Sequence, residues 1–239
     1  VPGKKDAGKN RFHPPKKSKW ERFMKYKAVI FDMDGTLLDT LEDIAASVNR
    51  VLLARGFSSH GVNQYRAFIG DGPKMLISRA LPENHRNAEM IQQCLAAYLE
   101  DYGQNCDDHT TLYPGIPDLL DELTHRNLKM AILTNKQNDL ARRCVNRFLS
   151  KWHFDRVLGL RPDVPRKPHP AGALEIADLL GLEAKKVMFV GDSDIDMKTA
   201  RASDMLPIGA SWGFGSDEDL KSSGAQRLIR HPMELIDML

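Results

Sequence analysis

One segment, Ala28-Val29-Ile30-Phe31-Asp32-Met33-Asp34-Gly35-Thr36-Leu37-Leu38, restricts the possible folds more than any other stretch of this chain. Its apolar start reads as a buried strand that ends in two carboxylates one residue apart, followed by Gly and Thr. In an extended segment the side chains at i and i+2 point the same way, so Asp32 and Asp34 start from one face. Carboxylates that close resist ionising together unless a cation or a shared proton relieves them. A fold tolerates such a cost mainly where chemistry is done. The apolar strand and the Gly turn that frame the pair separate it from two ordinary solvated aspartates.

The second half of the chain holds the partners that such a pair needs. Lys129-Met130-Ala131-Ile132-Leu133 is an apolar run ending in Thr134-Asn135-Lys136. Val187-Met188-Phe189-Val190 is another, ending in Gly191-Asp192-Ser193-Asp194-Ile195-Asp196. Between them stands Lys167, in Pro165-Arg166-Lys167-Pro168-His169-Pro170, where prolines stiffen the loop. Parallel α/β sheets bind ligands at the carboxyl ends of their strands. Asp32, Thr134 and Asp192 all fall at such ends, and one catalytic centre is the economical explanation.

From Ile116 onward, helices alternate with short apolar strands near 128–133, 156–160, 186–190, 206–209 and 226–229. Alternation of this kind predicts a parallel sheet with helices on both faces. Before Pro114 the pattern is helical. Thr40 is placed to cap a helix, with Asp43 completing a capping box. Leu41, Ile44, Ala45, Val48, Val51 and Leu52 follow at helical spacing, and Gly56 stops the run. Further helices are expected near 62–69, 73–81 and 86–102, with no strand until after Pro114. An all-helical insert of about seventy residues, 40–112, thus interrupts an α/β core made of 24–39 and 113–239.

Taken in order, Asp32-x-Asp34-Gly35-Thr36, Thr134-Asn135, Lys167 and Gly191-Asp192-Ser193-x-x-Asp196 resemble the motifs of the haloacid dehalogenase-like (HAD) phosphatase superfamily, specifically its phosphoglycolate phosphatase-like branch. The resemblance runs from about Met24 to the C-terminus. It includes Gly70-Asp71-Gly72 and Trp212-Gly213-Phe214-Gly215, which are similar to the branch's substrate loop and late core loop. It implies a Rossmann-like core with a helical cap at the insertion point. It implies that Asp32 is a nucleophile forming an aspartyl-phosphate. Asp34 then protonates the leaving oxygen and later deprotonates water. The Thr134 hydroxyl, the Asn135 backbone N–H and the Lys167 ammonium meet the charge on the transferring oxygens. Asp32, Asp192 and the Asp34 backbone carbonyl hold a hard cation. Mg²⁺ suits that set, because it takes few carboxylates and completes its shell with phosphate and water. Asp196 orients Lys167 or a water, and Lys136, Gly70 and Gly72 are the implied substrate contacts.

Charge is unevenly spread. Residues 1–25 carry nine Lys or Arg and two Asp or Glu, hence +7, so the remainder of the +2 chain is acidic at −5. With Pro2, Pro14 and Pro15 and no apolar periodicity, this stretch reads as disordered. Met24 stands where a phosphatase of this branch would begin, so residues 1–23 read as an upstream or cloning-derived extension. Phe12, Trp20 and Phe23 among the basic residues support the competing idea of a nucleic-acid arm. No apolar run approaches the ~18 residues that span a bilayer, and no secretory signal is visible. Cys94, Cys106 and Cys144 lack metal-ligand spacing and fit unpaired thiols in a reducing cytoplasm. His169, Asp194 and the Arg142-Arg143 pair read as solvated surface groups.

The expected activity is Mg²⁺-dependent hydrolysis of a small phosphate monoester, first of all 2-phosphoglycolate, by a cytoplasmic monomer or homodimer. A phosphatase for pyrophosphate, sugar phosphates or nucleotides, and a phosphomutase of the same fold, are the alternatives. A dehalogenase would use the nucleophile but lacks the second acid that Asp34 supplies. A nucleic-acid-binding protein acting through the basic tail would have no use for four clustered acids, which would only cost it stability.

Overall fold

The apolar run that opens the diagnostic segment forms β1 (Ala28–Phe31), with every side chain buried. Val29 and Phe31 pack into one apolar cluster and Ala28 and Ile30 into another. The strand is therefore covered on both faces, as a continuous apolar run requires. These observations come from a computed structural model, which describes residues 25–239. The basic segment 1–23, with the suggested nucleic-acid arm, lies outside the described residues.

After β1 the chain makes β2 (Leu38–Asp39), enters a helical insert, and returns through β3 (Thr111–Leu112), which pairs antiparallel with β2. The absence of strands before Pro114, expected from the sequence, is corrected by this ribbon. Strands two residues long carry no periodicity to read. Within the insert are α1 (Leu41–Leu53), a 3₁₀ turn at Val62–Ala67, α2 (Pro73–Ala80) and α3 (Ala88–Asn105). Their apolar faces meet in a cluster of their own, centred on Ile44, Val48, Tyr65, Leu76, Ile77 and Tyr98.

The remaining elements are α4 (Ile116–His125), β4 (Lys129–Gln137), α5 (Asn138–Phe148), β5 (Arg156–Leu160), α6 (Ala171–Leu180), β6 (Val187–Gly191), α7 (Asp194–Ala202), β7 (Leu206–Ala210), α8 (Asp217–Ser222) and β8 (Arg227–Ile229). The six long-range strands form one parallel sheet in the order β5-β4-β1-β6-β7-β8. Helices α4 and α5 cover one face, while α6 and α7 cover the other. This is the expected Rossmann-like arrangement. The strand order reverses at β1, so the carboxyl ends of β1, β4 and β6 lie side by side at the switch point. No helix among the described residues is long and apolar enough to cross a membrane.

The start of α1 differs from its sequence-based expectation. Thr40 occupies the cap position but makes no capping hydrogen bond. Asp43 turns away from it and accepts from His109 N–H (2.9 Å), Thr110 N–H (2.8 Å) and Thr110 Oγ1 (2.7 Å). A buried carboxylate satisfied by distant amides outweighs a local cap, because charge-assisted bonds are the stronger kind. Asp43 thereby fixes the return crossing of the insert to its first helix. Asp43→Ala strands the buried Thr110 N–H, while Thr110 Oγ1 keeps the Cys106 carbonyl, and urea denaturation should show a loss of about 1–3 kcal/mol.

Candidate active site

Asp32, Thr134 and Asp192 are delivered by strand ends. Asp32 follows β1, and its N–H extends the sheet pairing by donating to the Val190 carbonyl at 2.9 Å. β4 does not stop at Leu133. It continues to Gln137 through a shift of register against β5 between Leu133 and Gln137, so Thr134, Asn135 and Lys136 sit in a bulge. Bulges re-aim side chains that a regular strand would alternate. After β6, Ser193 caps α7 by accepting from Asp196 N–H, and Asp196 Oδ2 accepts in return from Ser193 N–H (3.1 Å) and Oγ (2.5 Å). This capping box turns Asp196 back toward the strand ends.

Lys167 reaches the centre from its proline-bounded loop. Its Nζ lies 2.8 Å from Asp32 Oδ1 and 2.6 Å from Asp196 Oδ1, and the side chain is buried. The Asn135 side chain holds the loop from the other side, donating to Lys167 O (3.1 Å) and accepting from Lys167 N–H (3.0 Å). The sequence points only to the backbone N–H of Asn135. Its side-chain amide also clamps the loop that carries the lysine.

Asp192 is held by residues without obvious chemistry. Thr36 Oγ1 donates to its Oδ1 and Phe214 N–H to its Oδ2, both at 2.8 Å. Thr36 is itself anchored, its carbonyl accepting from Trp212 Nε1 at 3.0 Å. Gly35, at φ +86°, and Gly213 press against Asp192 so closely that a Cβ at either position would collide with its side chain. These glycines are needed for that close approach.

The electrostatic cost of this cluster is visible in its titration. Burial raises the Asp32 carboxyl to about 7, with Lys167 pulling it down and Asp196 and Asp34 adding to the rise. Burial likewise drives Asp192 well above the carboxylate range, helped by Asp196 and Asp32 and opposed by the Phe214 and Thr36 hydrogen bonds. Burial works against the Lys167 ammonium, but Asp196 and Asp32 outweigh it and raise its pKa. One lysine thus compensates only part of three acids. Asp32, Asp192 and Asp196 each bring a carboxylate oxygen within 4.8 Å of the others, a purely oxygen donor set that fits a hard divalent cation. Asp196 Oδ2 takes two hydrogen bonds from Ser193 and its Oδ1 faces Lys167, each Asp192 oxygen takes one, and Lys167 faces only Oδ1 of Asp32.

Asp34 points elsewhere. Its Oδ1 lies 2.9 Å from Lys136 Nζ, outside the cluster of three. Lys136 is buried and also donates to the Tyr102 hydroxyl at 2.7 Å. Asp32, Asp34, Tyr102, Lys136, Lys167 and Asp192 border a cavity of about 750 Å³, roofed by the helical insert. Gly70 and Gly72 line the same cavity, with φ of +122° and +80°. Asp194 borders it too but pairs with Lys198 at 2.5 Å, and His169 is exposed, accepting from Ala171 N–H. Arg143 departs from its expected solvated role. It bonds the Gly103 carbonyl, the Gln104 carbonyl (3.3 Å) and Asp107 (2.7 Å), joining α5 to the insert.

Residues 29–210 match the family model of haloacid dehalogenase-like hydrolases. The chain belongs to that family. It is 30% identical over 216 residues to the phosphoglycolate phosphatase of Chromobacterium violaceum, covering 89% of this chain and 96% of the relative. It is 29% identical over 207 residues to that of Pseudomonas putida, covering 85% and 76%. A crystal structure of a candidate phosphoglycolate phosphatase from Lactobacillus delbrueckii subsp. bulgaricus matches with a TM-score of 0.85 at 31% identity, covering 90% of this chain and 99% of that one. The protein is thus a phosphatase of the HAD-like hydrolases. Members of this family generally use a divalent metal, and the buried acidic cluster is suited to one.

A cation that binds only the folded state raises stability, by about 2.7 kcal/mol at a hundredfold excess over Kd. Mg²⁺ added to chelator-stripped protein should therefore raise Tm in a thermal melt. Asp192→Asn should lose most of that rise, and an unchanged rise would place the cation elsewhere.

Proposed function

We propose that this phosphatase hydrolyses a small phosphate monoester, 2-phosphoglycolate, with Mg²⁺ as cofactor and through an aspartyl-phosphate on Asp32. The observation that carries this proposal is the Lys167 ammonium held 2.8 Å from Asp32, at the switch point of a parallel sheet and on the floor of a roofed cavity. A carboxylate oxygen of Asp32 attacks phosphorus as the bond to the leaving oxygen breaks. Asp34 supplies the proton that the leaving oxygen takes up, and it then removes one from the water that hydrolyses the acyl-phosphate. Lys167, the Thr134 hydroxyl and the Asn135 N–H meet the charge spread over the phosphoryl oxygens. Thr134 Oγ1 already accepts from Lys136 N–H at 3.1 Å, which leaves its own proton to donate. Mg²⁺, when held by Asp32, Asp192 and the Asp34 carbonyl, supplies the positive charge that lets an anionic ester approach a carboxylate. Asp196 orients Lys167.

The helical insert 40–112 acts as the cap, excluding water and completing the pocket. Its loop supports the choice of ester. Gly70, Asp71 and Gly72 line the cavity, and their backbone N–H groups have no acceptor among the described residues. Successive amides in such a turn form a concave site for an anion such as a carboxylate. Lys136 has three N–H donors and two of its partners are known, so one remains for the substrate. Three buried, unpaired cysteines agree with a reducing cytoplasm. A second proposal rests on the cavity itself. At about 750 Å³, with Ile44, Leu76, Leu99, Leu140 and Phe214 on its walls, it has room for a larger sugar phosphate or nucleotide.

Asp32→Asn keeps the side chain's shape and removes the attacking anionic oxygen. Phosphate release should fall by at least about 10³-fold with the fold retained by circular dichroism. Near-normal turnover would rule out the covalent route. For the substrate, kcat/KM should favour phosphoglycolate over pyrophosphate, sugar phosphates and nucleotides. A tenfold preference for any competitor, about 1.4 kcal/mol of transition-state binding, would overturn phosphoglycolate and leave the phosphatase class standing.

A further inference from the structure

The cap reaches the catalytic acid through one side chain. Tyr102, on α3, is fully buried and stacks on Tyr98 with ring centroids 5.3 Å apart. Its hydroxyl accepts from Lys136 Nζ at 2.7 Å, and the same ammonium lies 4.6 Å from the centroid of its ring. Lys136 Nζ lies 2.9 Å from Asp34 Oδ1. The chain Tyr102–Lys136–Asp34 thus joins an insert helix, the β4 bulge and the loop after β1, and neither the motifs nor the roles given above account for Tyr102.

Lysine is a poor device for precise placement. Its ammonium rides on a flexible four-carbon stem, and only its partners fix where it sits. Near Lys136 the cavity offers competing anions, above all a substrate phosphate. A phenol answers this need, because it accepts a hydrogen bond and presents a π-face without adding charge. The position of the ammonium also matters to Asp34. The carbonyl oxygen of a carboxylic acid is its better acceptor, so an ammonium facing one oxygen favours the acidic proton on the other. With Lys136 on Oδ1, the arrangement favours the proton on Oδ2.

We propose that Tyr102 is a positioning residue for the general acid, pinning Lys136 on Asp34 Oδ1 so that Oδ2 delivers the proton to the leaving oxygen. This rests on the role given to Asp34 above. In the step concerned, the Oδ2–H bond breaks and its proton joins the leaving oxygen. The bond from phosphorus to that oxygen breaks as the bond to Asp32 forms. Because Tyr102 belongs to the insert, the acid is aligned only when the insert is packed on the core. An open enzyme therefore holds its acid unaligned.

Leaving groups differ in how much they need the proton, which separates positioning from a general loss of structure. An alkoxide requires it, whereas p-nitrophenolate departs without it. Tyr102→Phe keeps the ring and removes only the hydroxyl. The rate of leaving-group release in a single turnover is measured for p-nitrophenyl phosphate and for the best alkyl phosphate of the panel above. The alkyl-to-nitrophenyl rate ratio should fall about tenfold or more relative to the wild type. An unchanged ratio overturns the proposal, whether both rates fall together or neither does. Asp34→Asn is run alongside. If it too leaves the ratio unchanged, the assignment of Asp34 as the acid fails. If it lowers the ratio and Tyr102→Phe does not, only the positioning role fails.

Discussion

The site depends on a charge imbalance held out of water. Asp32, Asp192 and Asp196 gather within 4.8 Å, and the Lys167 ammonium touches two of them. Breaking a buried pair by removing one partner typically costs about 3–5 kcal/mol, because the remaining charge is left uncompensated. Much of the core serves to hold this arrangement. Asn135 clamps the backbone of Lys167, Ser193 locks Asp196 into the first turn of α7, and Thr36 and Phe214 take up Asp192. The positive charge still missing is what a divalent cation and a phosphoryl-transfer centre have in common.

The helical insert is tied to this centre by arginines that seek backbone carbonyls. Arg66 donates to Gly213 O, Arg166 to Asp71 O, each at 2.7 Å, and Arg143 to Gly103 O and Gln104 O. Gly213 lies against Asp192 and Arg166 adjoins Lys167, so these contacts land beside the acidic cluster. The Arg66 and Arg166 bonds run to neutral carbonyls, so they carry no opposing ion to desolvate and are readily exchanged for water, whereas Arg143 also pairs with Asp107. The buried Tyr102–Lys136 contact continues the same junction into the cavity.

Much of the fold was legible because its signals are periodic. The apolar runs at Ala28–Phe31 and Val187–Val190 became β1 and β6, and the spacing of Leu41, Ile44, Val48 and Val51 became the buried face of α1. Short-range chemistry was less dependable. Asp43 looked like the partner of a capping threonine and instead satisfies amides near Thr110, on the far side of the insert. The β2–β3 ribbon is too short to leave any pattern, and the β4 bulge through Thr134-Asn135-Lys136 is a property of pairing with β5, which no single strand records.

The sequence by itself brought Asp32, Thr134 and Asp192 together, since each stands at a strand end and strand ends share one edge of a parallel sheet, and the ordered motifs added Asp34, Lys167 and Asp196. Only the tertiary structure decided which of them touch. It set Asp34 against Lys136 and away from the acidic cluster, and made Asn135 a loop clamp. It brought Tyr102 and Phe214 in from distant segments. The physical reason is that these choices turn on distances of a few ångströms between elements far apart in the chain. Hydrogen bonds and buried charges are sensitive on that scale, and local sequence patterns carry no such measure.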